Sequence, residues 1–358
     1  MAASTLAEVA RLAGVSPATA SRVLNGSARK PGKDIAERVR QAAASLGYIP
    51  NAQAQGLAKS SSGLIGLIVH DIADPYFAAI ARGVQEAARE QRKMVLLATT
   101  GGGPAEEKEA VAAFAARRAD SIVIAGSRSC RDEDKDGNSE LAAELDRYCR
   151  NGGQVAVVGH PVVGAAAQDG YHVLKVPNQE LADQLASQLA ADWDGDFVIV
   201  GGPEGLLTSD DRVRGFQEGL ERAGRKQAEV LRTAFNRSGG YEAGLQLAGR
   251  IKATHSRGTE SPKLCIFAVN DVMAIGAAAA LRAEGLRVPR DAAIAGFDDI
   301  ETLRDFRPAL STVRLPLEDI GRLATQATRG RPNGEEGEDA APGAVTGEVT
   351  LRRSTETA

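Results

Sequence analysis

The sequence is poor in cysteine, histidine and aromatic residues and has no long apolar run, and each scarcity removes a class of protein. Its 358 residues include three Cys, four His and one Trp, with aromatics at 4%. Cys130, Cys149 and Cys265 are odd in number, widely spaced and without a C-x-x-C pair, so they read as isolated thiols, neither a disulfide framework nor a metal site. His70, His160, His172 and His255 form no H-E-x-x-H. No G-x-S-x-G marks a nucleophile elbow, no G-x-x-x-x-G-K-[ST] cradles a phosphate, and no G-x-G-x-x-G follows the first strand pattern. The glycines at 101–103 precede a proline and read as a loop. We therefore expect no enzyme, no cofactor and no metal. No apolar stretch reaches the about 18 residues of a membrane span, and the N-terminus shows no basic region followed by an apolar run. A soluble, cytoplasmic protein without a membrane partner is expected.

What the sequence does have is a charge asymmetry. Its 43 Lys and Arg against 47 Asp and Glu leave a net charge of −4. Through Ser62, however, eight basic residues stand against three acidic ones, so a head of about +5 precedes a body of about −9. A small basic head suits a polyanion.

Residues 5–49 read as three short helices. Leu6, Val9, Ala10 and Ala13 share one helical face before Gly14-Val15 breaks the pattern. Ser16 is a good N-cap and Pro17 a good first helical residue, because that position needs no amide donor. The second helix, 17–24, turns Ala20, Val23 and Leu24 inward and ends at Asn25-Gly26. A third, 35–46, carries Ile35, Val39, Ala42, Ala43 and Leu46. Two helices joined by a tight turn and closed by a third make a helix-turn-helix, whose alternative is a capping module that binds nothing. Ser16, Ala18, Ser21 and Arg22 leave the outer face of the second helix narrow enough to enter a major groove, where Arg22 has the geometry to read a guanine.

The run from Leu6 to Asn25, followed by Leu46-Gly47-Tyr48-Ile49-Pro50-Asn51, resembles the head of the LacI/GalR family of bacterial transcription regulators. The resemblance implies phosphate contacts at Thr5, Ser16, Thr19 and Asn25 and base reading at Pro17, Ala18, Ser21 and Arg22. The loop 27–33 is about one residue longer than the family pattern. Residues 51–58, too short for an isolated helix, correspond to the family's hinge, which begins at Asn51 and places Leu57 as a wedge between central base pairs of a minor groove. Gly56 departs from that pattern, and an ordinary linker is the alternative.

From Leu64 onward, short β-branched runs at 64–69, 94–98, 121–125, 155–159, 196–200, 265–268 and 292–295 alternate with amphipathic segments such as 77–92, 106–117, 181–191, 212–223 and 271–284. Such alternation predicts parallel sheets with helices on both faces. The fold expected is an all-α helix-turn-helix head plus an α/β, periplasmic-binding-protein-like body of two doubly wound parallel-sheet subdomains around a cleft. The expected divisions are a head at 1–49, hinge and linker at 50–62, one subdomain at 63–174 plus 313–330, the other at 175–312 plus 345–353, and an acidic loop at 331–344.

Ligands of doubly wound sheets bind at the carboxyl ends of the strands. There the sequence places Asp74-Pro75-Tyr76-Phe77, Thr208 and Arg212, Phe235, Asn270-Asp271 and Phe297-Asp298-Asp299. Carboxylates, amides and guanidinium suit the hydroxyls of a sugar, and aromatic planes suit its C–H faces. Each has a structural alternative: Asp271 as a helix cap, Phe77 and Phe216 as core, Asp299 in subdomain contacts. The resemblance assigns Tyr76, Phe77, Arg212, Phe235, Asn270 and Asp298 to the effector pocket. His160 stands where many family members carry Asp or Arg. Leu206 occupies the region where the purine-binding branch has an extra Arg, so a neutral sugar is preferred over a purine.

Residues 347–353 read as a final strand, and no leucine heptads follow, so a homodimer is expected. The implied partners are a double-stranded, pseudo-palindromic DNA operator and a small effector that relieves repression or corepresses, a sign the sequence leaves open. The competing classes are a purine- or metabolite-dependent corepressed regulator, a solute-binding protein and a sugar-metabolising enzyme carrying a DNA-binding head.

Overall fold

The computed structural model describes residues 4–25, 31–49, 61–256, 263–329 and 344–356. It divides into two units, Met1–Gly63 and Leu64–Ala358.

In the first unit, α1 (Leu6–Ala13), α2 (Pro17–Asn25) and α3 (Lys33–Ser45) enclose a small core. Thr5 and Glu8 form a capping box: the Glu8 amide donates to Thr5 Oγ1 at 3.3 Å and the Thr5 amide donates to Glu8 Oε2 at 2.8 Å. Gly14, at φ 65°, ends α1 in the left-handed conformation that a side chain resists. Ser16 caps the next helix, its Oγ accepting from the Thr19 amide at 3.2 Å. Val9, Ala10, Ala13, Ala20, Val39, Ala42 and Ala43 are buried, and Val23, Leu24, Ile35 and Leu46 pack around them half-buried. The third helix starts two residues earlier than periodicity suggests, since Lys33 and Asp34 are polar first-turn positions without apolar signal. The hinge 51–58, with Asn51 and Leu57, and the turn at 26–30 lie outside the described residues.

The second unit opens with β1 (Leu64–Val69), α4 (Pro75–Glu90), β2 (Met94–Thr99), α5 (Pro104–Ala116), β3 (Ser121–Ala125), α6 (Lys135–Arg150), β4 (Gln154–Val158) and β5 (Tyr171–Leu174). The five strands form one parallel sheet in the order β2-β1-β3-β4-β5. Side chains alternate across it as the period of two requires. Ile65, Leu67, Val69, Val123 and Val158 join the core with Ile80 and Val84 of α4. Ile68, Ile122, Ile124, Val155 and Val157 face Val111 and Phe114 of α5 and Leu141 and Leu145 of α6.

A second parallel sheet, ordered β7-β6-β8-β9, follows from α7 (Asn178–Asp192), β6 (Asp196–Gly201), α8 (Leu207–Arg222), β7 (Glu229–Arg232), α9 (Arg237–Ser256), β8 (Leu264–Ala268), α10 (Asp271–Ala283) and β9 (Ala292–Ala295). Phe216 of α8 stacks on Phe267 of β8 with ring centroids 4.3 Å apart. The chain then returns through β10 (Thr312–Arg314) to α11 (Leu317–Ala327), which packs on α4. Two glycines permit that close crossing. A Cβ on Gly83 would stand 1.8 Å from the Glu318 carbonyl oxygen, and one on Gly321 would stand 2.1 Å from that of Ile80. β11 (Glu348–Thr350) pairs antiparallel with β10, and Ser354 Oγ then donates to the Ile294 carbonyl at 2.6 Å. β11 is shorter than the expected 347–353, and the acidic segment 331–343 lies outside the described residues. Helices α6 and α9 and strands β5 and β7 lie outside the segments named from periodicity. β5 and β7 are four residues each, and α9 carries Gly239-Gly240 in its first turn, a poor helix signal. Among the described residues no helix is long and apolar enough to cross a membrane.

Candidate functional site

Strand order locates the site. In the first sheet the direction of winding reverses between β1 and β3, and in the second between β6 and β8. Crevices open at such reversals, at the carboxyl ends of the strands. A cavity of about 700 Å³ lies where both reversals meet, lined by His70 after β1, Gly126 and Ser127 after β3, Thr208 after β6 and Asn270 after β8. Tyr76, Phe77, Arg212, Phe235 and Asp298 also line it, so seven of the eight expected effector residues come together there. A groove of about 860 Å³ lies at the opposite, amino ends of β6 and β8, away from every one of these residues.

Arg212 anchors the cavity. Its side chain is 2% exposed, and it donates from Nε to Asn178 Oδ1 at 2.9 Å, from Nη1 to the Val269 carbonyl at 2.7 Å and from Nη2 to Asp298 Oδ1 at 2.9 Å. The guanidinium lies 3.8 Å from the centroid of the Phe297 ring, a cation–π contact that fixes its plane. Asn270 spends its Oδ1 on capping α10, accepting from the Met273 amide at 2.8 Å, so its NH₂ group is what it offers the cavity. Asp74 caps α4 by accepting from the Tyr76 amide at 2.9 Å, which seats Tyr76 and Phe77 on the first turn. Their rings meet edge to face at 5.0 Å.

Burial governs the acid groups here. It pushes the Asp298 carboxyl up to about 7, against the pull of Arg212, and the charge on Asp74 adds to the rise. Burial also raises Asp74 itself, and it raises the Tyr76 hydroxyl, which therefore stays a neutral donor and acceptor. Asp298 holds φ at 118°, a conformation that non-glycine residues rarely adopt and that a well-packed surrounding must impose. A carboxyl poised near neutrality both donates and accepts, which matches the hydroxyls of a polyol.

Two expectations change, those for His160 and Asp271. His160 is not among the cavity-lining residues; its Nε2 lies 2.8 Å from Asp211 Oδ2 on α8. Asp271 does not cap its helix, because Asn270 does. Fully buried, Asp271 instead accepts from Thr312 Oγ1 at 2.7 Å and from the Ile300 amide at 3.0 Å, fastening the return strand β10. Phe216 is core. Asp299 binds Arg314 and Arg352, with Arg314 Nε at 2.7 Å and Arg352 Nη1 at 2.8 Å, which ties β10 and the tail together. Residues missed at the cavity include His70, Asn178 and Arg131. His70 directly follows a buried strand, which was the available signal; Arg131 sits in a loop with none. Among the described residues no group of three or more His, Cys, Asp or Glu is placed to hold a metal ion.

On the head, Thr5, Ser16, Pro17, Ala18 and Arg22 are exposed, and Thr19, Ser21 and Asn25 are half-buried. Asn25 Nδ2 donates to Ser21 Oγ at 2.9 Å, and the Ser16 and Thr19 hydroxyls lie 2.9 Å apart. Small, hydroxyl-bearing residues and one arginine thus form the outer face of α2, while Ala20 faces the core.

Residues 5–51 match the model of bacterial regulatory proteins of the lacI family, and residues 195–355 match a periplasmic binding protein-like domain. The ribose operon repressor of Halalkalibacterium halodurans is 30% identical over 324 residues, which cover 90% of this chain and 88% of that protein. A solved transcriptional regulator CelR–cellobiose complex is 26% identical, covers 98% of this chain and 99% of its own, and has a TM-score of 0.66. A Lac repressor dimer bound to operator and the anti-inducer ONPF shares the fold, with a TM-score of 0.75 at 23% identity over 99% of this chain and 100% of that one. With a helix-turn-helix head, two parallel sheets meeting at a cavity, and identity running through nine-tenths of its length, the chain belongs to the lacI family of bacterial regulatory proteins.

Proposed function

We propose that the protein is a cytoplasmic, operator-binding repressor whose DNA affinity is set by a small neutral sugar in the cavity between the two sheets. The observation that carries this reading is the cavity wall itself: a buried arginine held by three partners, a carboxyl near neutrality, a free amide edge and aromatic planes converge on one space of about 700 Å³. Two similar proteins support the sugar reading, one a ribose operon repressor and the other a regulator in complex with cellobiose.

On this reading 1–49 reads the major groove through α2, with Arg22 at a base edge. Residues 50–62 form the hinge, with Asn51 and Leu57 at the minor groove. The two sheets and their helices are the two subdomains, 63–174 plus 313–330 and 175–312 plus 345–353. A homodimer presents two heads to a two-fold operator. The edge strand β2, which exposes Met94 at 65% and Leu97 at 46%, suits the dimer contact. A ligand that favours one angle between the sheets shifts the hinge by its difference in affinity for the two states. The test is a thermal-shift screen of pentoses, hexoses, disaccharides and purines on the full chain. A sugar that raises the melting temperature supports the reading, and a response confined to purines overturns it.

A further inference from the structure

A second relationship links the two sheets in the wall of the cavity. Ser129 and Leu206 form an antiparallel bridge. Around it the Leu207 amide donates to the Arg128 carbonyl at 2.9 Å, the Cys130 amide to the Gly205 carbonyl at 2.9 Å, and the Thr208 amide to Ser127 Oγ at 3.2 Å. Residues 127–131 follow β3 of the first sheet, and residues 205–208 lead from β6 of the second into α8. Ser127, Arg131, Leu206 and Thr208 also line the cavity, so these bonds lie in its wall.

The first-sheet half of this contact is held from behind by buried charge. Arg128 is 3% exposed and Glu107 of α5 is 1% exposed. They pair through both guanidinium ends, with Nη2 donating to Oε1 at 2.7 Å and Nη1 donating to Oε2. Burial works against the charge on Glu107, yet Arg128 and His70 together hold the carboxyl below its ordinary range, so the group stays ionised. Glu107 Oε1 lies 3.5 Å from His70 Nε2. The imidazole is wedged between Phe77, 5.6 Å away ring to ring, and Gly126, where a Cβ would stand 2.0 Å from Nε2. His70 thus joins the cavity surface to the buried pair whose arginine carbonyl closes the contact.

We propose that residues 127–131 and 205–208 form a latch across the cleft, and that His70, through the Glu107–Arg128 pair, sets how firmly the latch is closed. The latch is a two-state element, because its backbone bonds are either made or exchanged for water. A buried ion pair fixes geometry more than it adds stability, so disturbing it at His70 is felt where Arg128 is held. Its regulatory meaning rests on the cavity being the effector site, whereas the latch and its coupling to His70 do not.

The test is amide hydrogen exchange on the full chain without ligand, comparing the wild type with His70→Ala and Glu107→Gln. The Leu207 and Cys130 amides report the latch, and those of Ile122, Val123 and Ile124 in the buried strand β3 report the sheet. Loss of the imidazole packed against Glu107, or of one charge of the Glu107–Arg128 pair, is expected to speed exchange at Leu207 and Cys130 about tenfold or more, with the β3 amides unchanged. His70→Ala leaves the ion pair intact, so it carries the test if Glu107→Gln does not fold. Unchanged latch exchange in His70→Ala, or acceleration equal to that in β3, overturns the proposal. Because no sugar is added, that failure is distinct from failure of the effector reading.

Discussion

Arg212 on α8 and Asp298 after β9 meet at 2.9 Å across the floor of the cavity, both almost fully buried. The contact is built to be held: Asn178 and the Val269 carbonyl fix the guanidinium, and Phe297 lies beneath it. A ligand meets a surface that is already ordered, which lowers the conformational cost of binding.

Removing the arginine leaves its three acceptors buried without that donor. Arg212→Ala is expected to lower stability by about 3 to 5 kcal/mol, the usual cost of breaking a buried pair from one side. The double variant with Asp298→Ala should fall well short of additivity, because the second change removes a group the first has stranded. Denaturant unfolding of the two single variants and the double one checks both statements.

The Asp298 carboxyl gives a pH dependence of definite sign. Its proton leaves near pH 7 in the folded chain and near pH 4 in the unfolded one. Between those values the folded state holds more protons, so stability falls as pH rises from about 4 to about 7 and levels off above. Asp271, raised well above the carboxylate range by burial and by the Asp298 charge, contributes with the same sign. Melting temperatures across this window should decline less in Asp298→Asn than in the wild type; parallel curves would show that Asp298 does not titrate there.

On the head, Arg22 is exposed and outside the core, so Arg22→Ala should leave the melting temperature unchanged. Its effect belongs to DNA: a lost bidentate base contact costs about 1 to 3 kcal/mol, selectively against the preferred operator. Competition between operator and random duplex distinguishes this from a phosphate contact, whose loss weakens both alike.

The crossing of α4 and α11 makes a packing prediction. Gly83→Ala places a methyl 1.8 Å from the Glu318 carbonyl oxygen, so the helices must separate. A loss of about 1 to 3 kcal/mol or more is expected, read by chemical denaturation.

Much of this molecule was readable because parallel strands buried on both faces are almost wholly apolar, as Leu64–Val69 and, after its first residue, Ser121–Ala125 are. The cavity residues were readable because Asn270 and Asp298 follow such strands within two or three residues. Local polarity, however, does not say where a side chain turns. His160 and His70 both follow strands, yet one pairs with Asp211 and the other lines the cavity. Asn270, and not Asp271 as expected, caps the helix, because the cap residue needs extended backbone and Asn270, at φ −148°, supplies it. The latch was not readable at all, since its bonds, mostly between main-chain groups, join residues 75 or more apart.

The central claim is that occupation of the cavity changes DNA affinity. It is tested most directly by anisotropy titration of the full chain against a labelled pseudo-palindromic operator, with and without a sugar shown by thermal shift to bind. The account predicts a change in operator affinity of about tenfold or more, abolished in Arg212→Ala. A sugar that binds the wild type while leaving operator affinity unchanged would contradict it.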